Sequence, residues 1–386
     1  MAKDEIPANQ VWIDADSGTL DALREVVDVT TDARTCPRAM RIEKNTPIYD
    51  GAALAGLSSA ERLEMMAEWT RVFSDGPGII CIKSGIVDGA VLDRATALFE
   101  TLIEEERGTG GGDHFAKPGA NDRVWNAAQK HCVHDPEGFA AYFATPAVDM
   151  ASRAWLGDGY QVTAQVNRVN PGGAAQTAHR DYHLGFMPTA RMAQFPAHVH
   201  QLSPMLTLQG AVAHCDMPLE SGPTLYLPYS QKFFHGYLAF NRPEFQEYFA
   251  QNHVQLPLSK GDMVFFNPAV MHGAGNNISK DIKRLANLLQ IGSAFGRSIE
   301  AVDRAAMVTA LYPILLEGGF DAAQITRIIA ASAEGYAFPT NLDRDPPVGS
   351  MNPQSQADIM ADALQNRLPS REFAKLVEAW TERRRA

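Results

Sequence analysis

Apolar residues recur every three or four positions over residues 58–73, which is the spacing of one face of an α-helix. Ser58 and Glu61 stand at the spacing of a capping box, so the helix is predicted to begin there. An Asp-Gly-Pro-Gly run ends it, and the apolar residues 79–82 then predict a short buried strand. A second helix is predicted over residues 88–106.

Between about residues 161 and 296 the pattern changes to short apolar runs separated by turns rich in glycine, proline and serine. Such short, evenly spaced strands are typical of a double-sheet jelly roll. The predicted strands are Gln161–Val169, Met205–His214, Thr224–Leu227, Asp262–Phe266 and Leu285–Ile291.

Helical spacing returns after residue 298, in the segments 299–316, 322–332 and 370–384, with a loop rich in aspartate and proline over 338–354. The predicted fold is therefore mainly β with flanking helices, of the α+β class. We expect an irregular N-terminal lead-in (1–57), a core of helices and jelly roll (58–297), and a C-terminal helical extension packed on that core (298–386).

Composition narrows the class of protein. The 386 residues carry 34 Lys+Arg against 45 Asp+Glu, a formal net charge of −11, which argues against nucleic acid or an anionic membrane as a partner. The four cysteines are far apart, as expected of reduced thiols and not of a disulfide framework. Neither a secretory signal nor a membrane span is visible, so a cytoplasmic protein is predicted.

The candidate chemistry lies in His179-Arg180-Asp181 and, much later in the chain, His272. In an extended segment, residues i and i+2 project to the same side, so His179 and Asp181 can reach one metal ion. Two imidazoles and one carboxylate on one face are the ligand set of non-haem ferrous oxygenases. A single H-x-D triplet is also common by chance in a chain with eleven histidines.

Two other histidine pairs have comparable spacing. They are His198 with His200, and His131 with His134. Neither is followed by a partner in a comparable setting, so both are interpreted as core or surface histidines.

Three segments around the main triplet resemble motifs of the phytanoyl-CoA dioxygenase family, in that family's order. The family has a proline-glycine turn before an H-x-D and an aromatic residue, then a glycine-x-leucine strand leading to a proline and serine turn. Its last motif is a strand followed by a His-Gly pair and a basic residue. The corresponding segments here are Asn170–Gly173 with His179–His183, Ser221–Ser230, and Gly261–Phe266 with His272–Asn277 and Lys283-Arg284.

The resemblance implies a double-stranded β-helix of the cupin-like kind that uses Fe(II), 2-oxoglutarate and O2. By position, His179, Asp181 and His272 would be the iron ligands. The reaction implied is hydroxylation of a C–H bond of a small organic molecule, with decarboxylation of 2-oxoglutarate to succinate and CO2. Halogenases of this superfamily have a small residue in place of Asp181, so hydroxylation or another oxidation is expected and halogenation is not.

The cosubstrate site implied by the resemblance departs from the family pattern at two points. Lys283 stands where the family usually has its arginine, yet the planar guanidinium of Arg284 suits the distal carboxylate of 2-oxoglutarate better. Ala274 replaces a serine that often follows the His-Gly pair, so one hydrogen bond must come from elsewhere. Asn167 and Gln165 either line the cosubstrate pocket or are ordinary polar strand positions.

Substrate-contacting residues are predicted in two places. Gly108–Gly112 and the polar residues after it form a candidate loop over the iron, or only a solvated connector. Residues that flank the iron ligands are further candidates. The predicted substrate-contacting residues are His114, Lys117 and Arg123 in the first place, and Arg180, Tyr182 and His183 in the second.

Two alternatives remain open. A metal-binding β-barrel that is not an oxygenase, either an isomerase or a ligand-binding protein, would also explain the ligand triplet. In a scaffold protein, the alanine- and leucine-rich helices predicted over 299–316 and 322–332 would pack on a second subunit and form a homo-oligomer.

Overall fold

The computed structural model describes residues 11–107 and 119–386. The helices are α1 (Leu20–Val27), α2 (Ser59–Ser74), α3 (Gly89–Glu106), α4 (Ala127–His134), α5 (Pro136–Phe143), α6 (Pro146–Leu156), α7 (Thr189–Met192), α8 (Ala197–Met205), α9 (Gly236–Ala239), α10 (Pro243–Asn252), α11 (Arg304–Glu317), α12 (Ala322–Ser332), α13 (Gln356–Gln365) and α14 (Ser370–Arg384). The strands are β1 (Arg41–Glu43), β2 (Thr46–Asp50), β3 (Ile79–Lys83), β4 (Asn121–Val124), β5 (Gln161–Val169), β6 (Thr207–Ala213), β7 (Leu225–Leu227), β8 (Val254–Gln255), β9 (Met263–Phe266), β10 (Met271–Gly273) and β11 (Arg284–Gly292).

The strands form two sheets. The large sheet has eight strands in the order β1-β2-β3-β9-β6-β11-β5-β4, and every pair is antiparallel except β2 with β3. The small sheet has three antiparallel strands in the order β10-β7-β8. Apolar side chains of both sheets, including Ile79 and Phe266 from the large and Tyr226 from the small, share one buried cluster. The sheets therefore face each other, and the predicted α+β jelly-roll architecture is confirmed.

The opposite face of the large sheet is covered by two groups of helices. One group precedes most of the jelly-roll strands in the sequence, and the other follows them. One large core joins α2–α6 and α11–α14 to the outward side chains of β5, β6 and β11, such as Val162, Leu208 and Leu289. Outward and inward residues alternate along these strands, so one face serves the core and the other faces the small sheet. The helices predicted at 58–73, 88–106, 322–332 and 370–384 lie within a residue or two of those positions.

Helix starts follow local chemistry. The capping box predicted at Ser58 and Glu61 is present, with the Glu61 backbone N–H donating to the Ser58 hydroxyl and the Glu61 carboxylate accepting from the Ser58 backbone N–H. Asp321 with Gln324, and Ser355 with Asp358, start α12 and α13 in the same way. These boxes satisfy backbone donors that the first helical turn leaves unpaired.

The structure differs from the prediction in the N-terminal region, in several short helices, and at the start of α11, which begins at Arg304 and not at residue 299. The region predicted as irregular contains α1, β1 and β2, and β2 pairs with β3 through Ile48 and Cys81. Helices α4–α10 and α13 were not predicted, because all of them are short, at 4–11 residues. The division into three parts at residues 57 and 297 stays a prediction.

Two composition-based expectations can be compared with the structure. Cys36, Cys81, Cys132 and Cys215 are all free, as their spacing predicted. Within residues 11–107 and 119–386, no helix combines the length and apolar character that crossing a bilayer requires.

Candidate metal centre

The three predicted ligands come from two neighbouring extended segments. The backbone N–H of His179 donates to the carbonyl of His272 (2.9 Å), and the N–H of His272 donates to the carbonyl of His179 (3.1 Å). Asp181 follows on the same segment, and its N–H donates to the Pro268 carbonyl (3.0 Å). One ligand atom from each of His179, Asp181 and His272 lies within 4.8 Å of the others. The long-range backbone pairing therefore brings the triplet to one point.

Hydrogen bonds orient both imidazole rings. Nδ1 of His179 lies 2.8 Å from the Thr177 carbonyl, and Nδ1 of His272 lies 2.8 Å from the Val270 carbonyl. Because a carbonyl can only accept, each Nδ1 carries the proton and each Nε2 keeps a lone pair. Both Nε2 atoms lie 3.6 Å from an oxygen of Asp181. This is the tautomer and orientation that a metal ion requires of histidine.

The charges of the triplet are complementary. Burial would raise the pKa of Asp181, but the adjacent His179 and His272 hold it well below its usual value. For His179, burial lowers the pKa, yet the Asp181 carboxylate outweighs it and the net pKa is raised. Burial lowers the pKa of His272, and the charge of His179 adds to that effect. An anionic carboxylate between two imidazoles is a donor set that fits a divalent cation.

A hydrogen bond from a neighbouring side chain orients the Asp181 carboxylate. Nε2 of Gln209 on β6 donates to Oδ2 of Asp181 at 2.7 Å. Gln209 is buried, and its own Oε1 has no hydrogen-bond partner among the described residues. Sequence reasoning missed this residue, although a polar residue at an inward position of an apolar strand was a usable signal.

A cavity lies between the two sheets beside the triplet. Its polar lining consists of Asn167, Thr224, Tyr226 and Arg284, and its other walls are mostly small or branched apolar side chains of β6, β9 and β11. Tyr226 is paired directly with His272, so both side chains project to the same face of the small sheet. The cavity and the triplet therefore share a wall.

Arg284 is the cation of this cavity. It is buried, and its Nη1 has no hydrogen-bond partner among the described residues. Burial lowers the pKa of Arg284 to about 10, against the opposing effects of Cys215 and Tyr226. Asn167 Oδ1 also lacks a partner, whereas Lys283 is exposed outside the cavity. These buried, unsatisfied polar atoms fit a small anionic guest, and of the two basic residues only Arg284 lines the cavity.

The predicted substrate residues separate into three groups. Arg123 is buried on β4 opposite Asn167, donates to Gln165 Oε1 (2.7 Å), and its charge lowers the pKa of His179. The His183 ring contacts the Arg297 carbonyl (2.8 Å) and the Ser203 hydroxyl (3.4 Å). His114 and Lys117 lie outside the described residues.

Arg180 and Tyr182 form the third group, and the structure places both behind the metal centre. Both are fully buried, at 0% exposure. Alternate residues of an extended segment project to opposite sides, so these two side chains point away from the side that His179 and Asp181 share. They pack against Tyr237 behind the metal centre.

The other two histidine pairs hold no third ligand. Across the part of the chain that the structure describes, the triplet is the one group of three metal-ligating side chains found together. His200 is buried and contacts the Met192 carbonyl (3.0 Å), while His198 is exposed. His131 lies in the core, as the sequence interpretation expected.

Comparisons with known proteins agree with the family suggested by the motifs. Residues 74–285 match the profile of the phytanoyl-CoA dioxygenase (PhyH) family. No curated protein matches the sequence.

Three of the solved structures that are similar to this chain are described below. The non-heme α-ketoglutarate-dependent carbocyclase SnoK from nogalamycin biosynthesis is 20% identical, with a TM-score of 0.42 over 65% of this chain and 89% of that chain. The epimerase SnoN from the same biosynthesis is 18% identical, with a TM-score of 0.41 over 61% and 82%. HygX from Streptomyces hygroscopicus, with nickel, 2-oxoglutarate and hygromycin B bound, is 14% identical, with a TM-score of 0.45 over 61% and 90%.

Proposed function

The chain belongs to the phytanoyl-CoA dioxygenase family, and from that premise we propose that it is an Fe(II)- and 2-oxoglutarate-dependent dioxygenase that hydroxylates a C–H bond of a small organic molecule. The observation that carries the proposal is the pairing of two sites. A triplet of His179, Asp181 and His272 shares a wall with a cavity whose buried cation, Arg284, has no acidic partner among the described residues.

In this proposal the triplet holds the iron through Nε2 of each histidine and one oxygen of Asp181. The bound ion would activate O2, which is the oxidant. 2-Oxoglutarate would supply two electrons as it loses CO2 and takes one oxygen atom to become succinate, and the other oxygen atom would go to the substrate. The protein's part is to hold the ligands in their protonation states. Thr177 and Val270 do so for the imidazoles, and Gln209 does so for the carboxylate.

The cavity is proposed to bind the distal end of 2-oxoglutarate. The Arg284 guanidinium offers parallel N–H donors to a carboxylate, and in an apolar pocket such a pair is strong. Asn167 would orient the cosubstrate from the adjacent strand, and Gln165 would do so indirectly through Arg123.

Thr224 is proposed to supply the hydroxyl that Ala274 lacks. Leu225 pairs with Gly273, so Thr224 and Ala274 are the next residues along the two paired strands. The Thr224 side chain lines the cavity that contains Arg284. A hydroxyl from the neighbouring strand can therefore reach the same carboxylate. Sequence reasoning did not single out this residue.

The substrate is proposed to enter on the side of the triplet bordered by Arg123 and His183. The carboxylate of Asp181 is retained, so the iron has no vacant position for a halide in place of a protein ligand. Hydroxylation is the simplest outcome consistent with that ligand set.

The test is anaerobic titration of the protein with Fe(II) and 2-oxoglutarate. The wild type is expected to develop the weak visible charge-transfer absorption of the chelate and to form succinate when O2 is admitted. The variant Arg284→Met should need about 100-fold more 2-oxoglutarate, since truncating one partner of a buried charge pair costs about 2–5 kcal/mol and each 1.4 kcal/mol is tenfold.

Lys283→Met is the matched control, because it removes a neighbouring charge that is exposed. Its 2-oxoglutarate requirement should stay within about twofold of wild type. Iron binding without any chelate absorption, or loss of 2-oxoglutarate binding in the Lys283 variant alone, would contradict the proposal.

A further inference from the structure

Arg180 lies between two metal ligands in sequence but has no contact with the cavity in front of them. It is fully buried, and its side chain enters the apolar cluster behind the small sheet, which includes Tyr182, Phe233 and Tyr237. The guanidinium carbon lies 5.0 Å from the centre of the Tyr237 ring, and Nη2 donates to the Ser230 carbonyl. Arg180 therefore lies behind the metal centre, on the side away from the cavity.

The charge of Arg180 is not balanced locally. In the part of the chain that the structure describes, no carboxylate lies within ion-pair distance of it, and Nε and Nη1 have no hydrogen-bond partner. Burying an unpaired charge is costly, and an apolar residue of similar size is often more stable at such a place. The residue therefore costs stability, and packing alone does not explain it.

The contacts of Arg180 lead to the other half of the metal centre. Ser230, whose carbonyl accepts from Arg180, is also fully buried, and its hydroxyl accepts the backbone N–H of Met271 at 2.8 Å. Met271 immediately precedes the ligand His272 on β10. Arg180 thus connects the segment carrying His179 and Asp181 to the strand carrying the third ligand.

The surrounding backbone leaves room for the guanidinium. A Cβ atom on Gly236 would lie 2.7 Å from Nη2 of Arg180, closer than real side chains approach. Any side chain larger than glycine at residue 236 would displace the guanidinium. The space occupied by the Arg180 guanidinium is therefore bounded by Ser230 and Gly236.

We propose that Arg180 is a positioning residue for the metal centre: held by Ser230, it acts together with the backbone pairing of His179 and His272 to keep the His179–Asp181 segment and β10 at the separation at which all three ligands reach one ion. The inference rests on the proposed function only in taking the triplet as a metal site. It requires neither 2-oxoglutarate nor turnover.

The test is Co(II) binding, followed by calorimetry and by the ligand-field absorption of the bound ion. Arg180→Met should weaken Co(II) binding by about tenfold or more, the range found for residues that support metal ligands, and should change the absorption spectrum. Arg180→Lys keeps a donor for the Ser230 carbonyl and should fall between wild type and Arg180→Met.

Arg327→Met is the matched control. Arg327 is also a buried arginine that donates to a carbonyl, that of Ala144, but it belongs to α12 on the helical side. The Arg327→Met variant should keep the wild-type Co(II) affinity and spectrum, whatever its change in thermal stability. Equal loss of Co(II) affinity in both variants, or none in Arg180→Met, would overturn the proposal.

Two milder variants decide the matter if Arg180→Met does not fold. Ser230→Ala removes the hydroxyl that accepts from Met271 and keeps the carbonyl, so it and Arg180→Lys should both shift the Co(II) spectrum. Unchanged spectra in both would also overturn the inference. If the spectra shift as expected but no succinate is ever formed, the inference stands and the proposed oxygenase function fails.

Discussion

Two pairs of histidines lie on opposite faces of the large sheet, and their surroundings differ in one decisive way. His179 and His272 meet on the inner side, each with Nδ1 on a backbone carbonyl and Nε2 directed at Asp181. On the outer side, His131 and His214 both contact the ring of Phe99, at 5.3 and 5.2 Å between ring centres. His272, His131 and His214 are all nearly fully buried, so burial alone does not decide which histidines form a metal-ligand set.

The outer pair has neutral hydrogen-bond partners or none. The ring nitrogens of His214 lie 2.8 Å from the Thr96 hydroxyl and 3.0 Å from the Tyr142 hydroxyl, while Nε2 of His131 has no partner among the described residues. Burial therefore lowers the pKa of His131 to about 4 and that of His214 to about 3. The Asp181 carboxylate between the two rings gives the inner pair a donor set that suits a metal ion, whereas no carboxylate lies between the rings of the outer pair.

The largest expected effect comes from a pair of variants, with one substitution on each face of the large sheet. Asp181→Asn removes the only anionic ligand, so Co(II) affinity measured by calorimetry should fall by more than the roughly 100-fold upper range of changes to supporting residues. His214→Gln should leave Co(II) affinity unchanged and lower the free energy of unfolding in urea by about 1–3 kcal/mol, because two buried hydroxyls lose a partner. If Asp181→Asn bound Co(II) as tightly as the wild type, Asp181 would not be a metal ligand, and the contrast between the two histidine pairs would fail.

A pH titration of stability tests the outer pair next. The folded-state pKa values of about 4 and about 3 lie below the unfolded value of about 6.5, so the unfolded chain binds more protons between these limits. The stability contributed by neutral His131 and His214 is thus complete above pH 6.5 and is lost as the pH falls. At pH 5 the expected loss is roughly 2 kcal/mol per histidine.

Urea unfolding of metal-free protein at pH 7 and pH 5 measures this loss. His214→Gln should lose less stability than wild type between the two pH values, by about the contribution of one histidine. The same loss in both proteins would show that the protonation of His214 does not contribute to the pH dependence of stability.

The smallest of these effects concerns the support of the carboxylate. Gln209→Leu removes the donor to Asp181 Oδ2 and should weaken Co(II) binding by about tenfold without changing the 2-oxoglutarate requirement of the loaded protein. Gln290→Leu is a suitable control, since Gln290 is paired with Gln209 in the sheet. Equal effects of the two substitutions on Co(II) affinity would remove the special role of Gln209.

Much of the fold was predictable because its signals are local. The capping box at Ser58 and the strand at 79–82 lie where the pattern placed them. The order of strands was not predictable, since β9 lies between β3 and β6, far from both in sequence. Loop closure over such distances depends on the packing of the whole core, which no local pattern encodes.

The site was predictable to the same degree. The triplet and the position of Arg284 followed from spacing and from the family resemblance, but Gln209 and Thr224 did not. They reach the site through pairing with strands far along the chain, and the only local signal was the polar Gln209 within an otherwise apolar strand.

The sequence by itself determined which groups can bind a metal and which two of them share a side, because alternation along an extended segment is a property of the backbone. Tertiary structure decided the rest. Only the folded chain shows that Arg284 lines the cavity while Lys283 is exposed, which nitrogen of each histidine carries the proton, and that Arg180 is buried behind the ligands. These outcomes depend on strand register, and a shift of one residue would exchange the inward and outward faces of every strand involved.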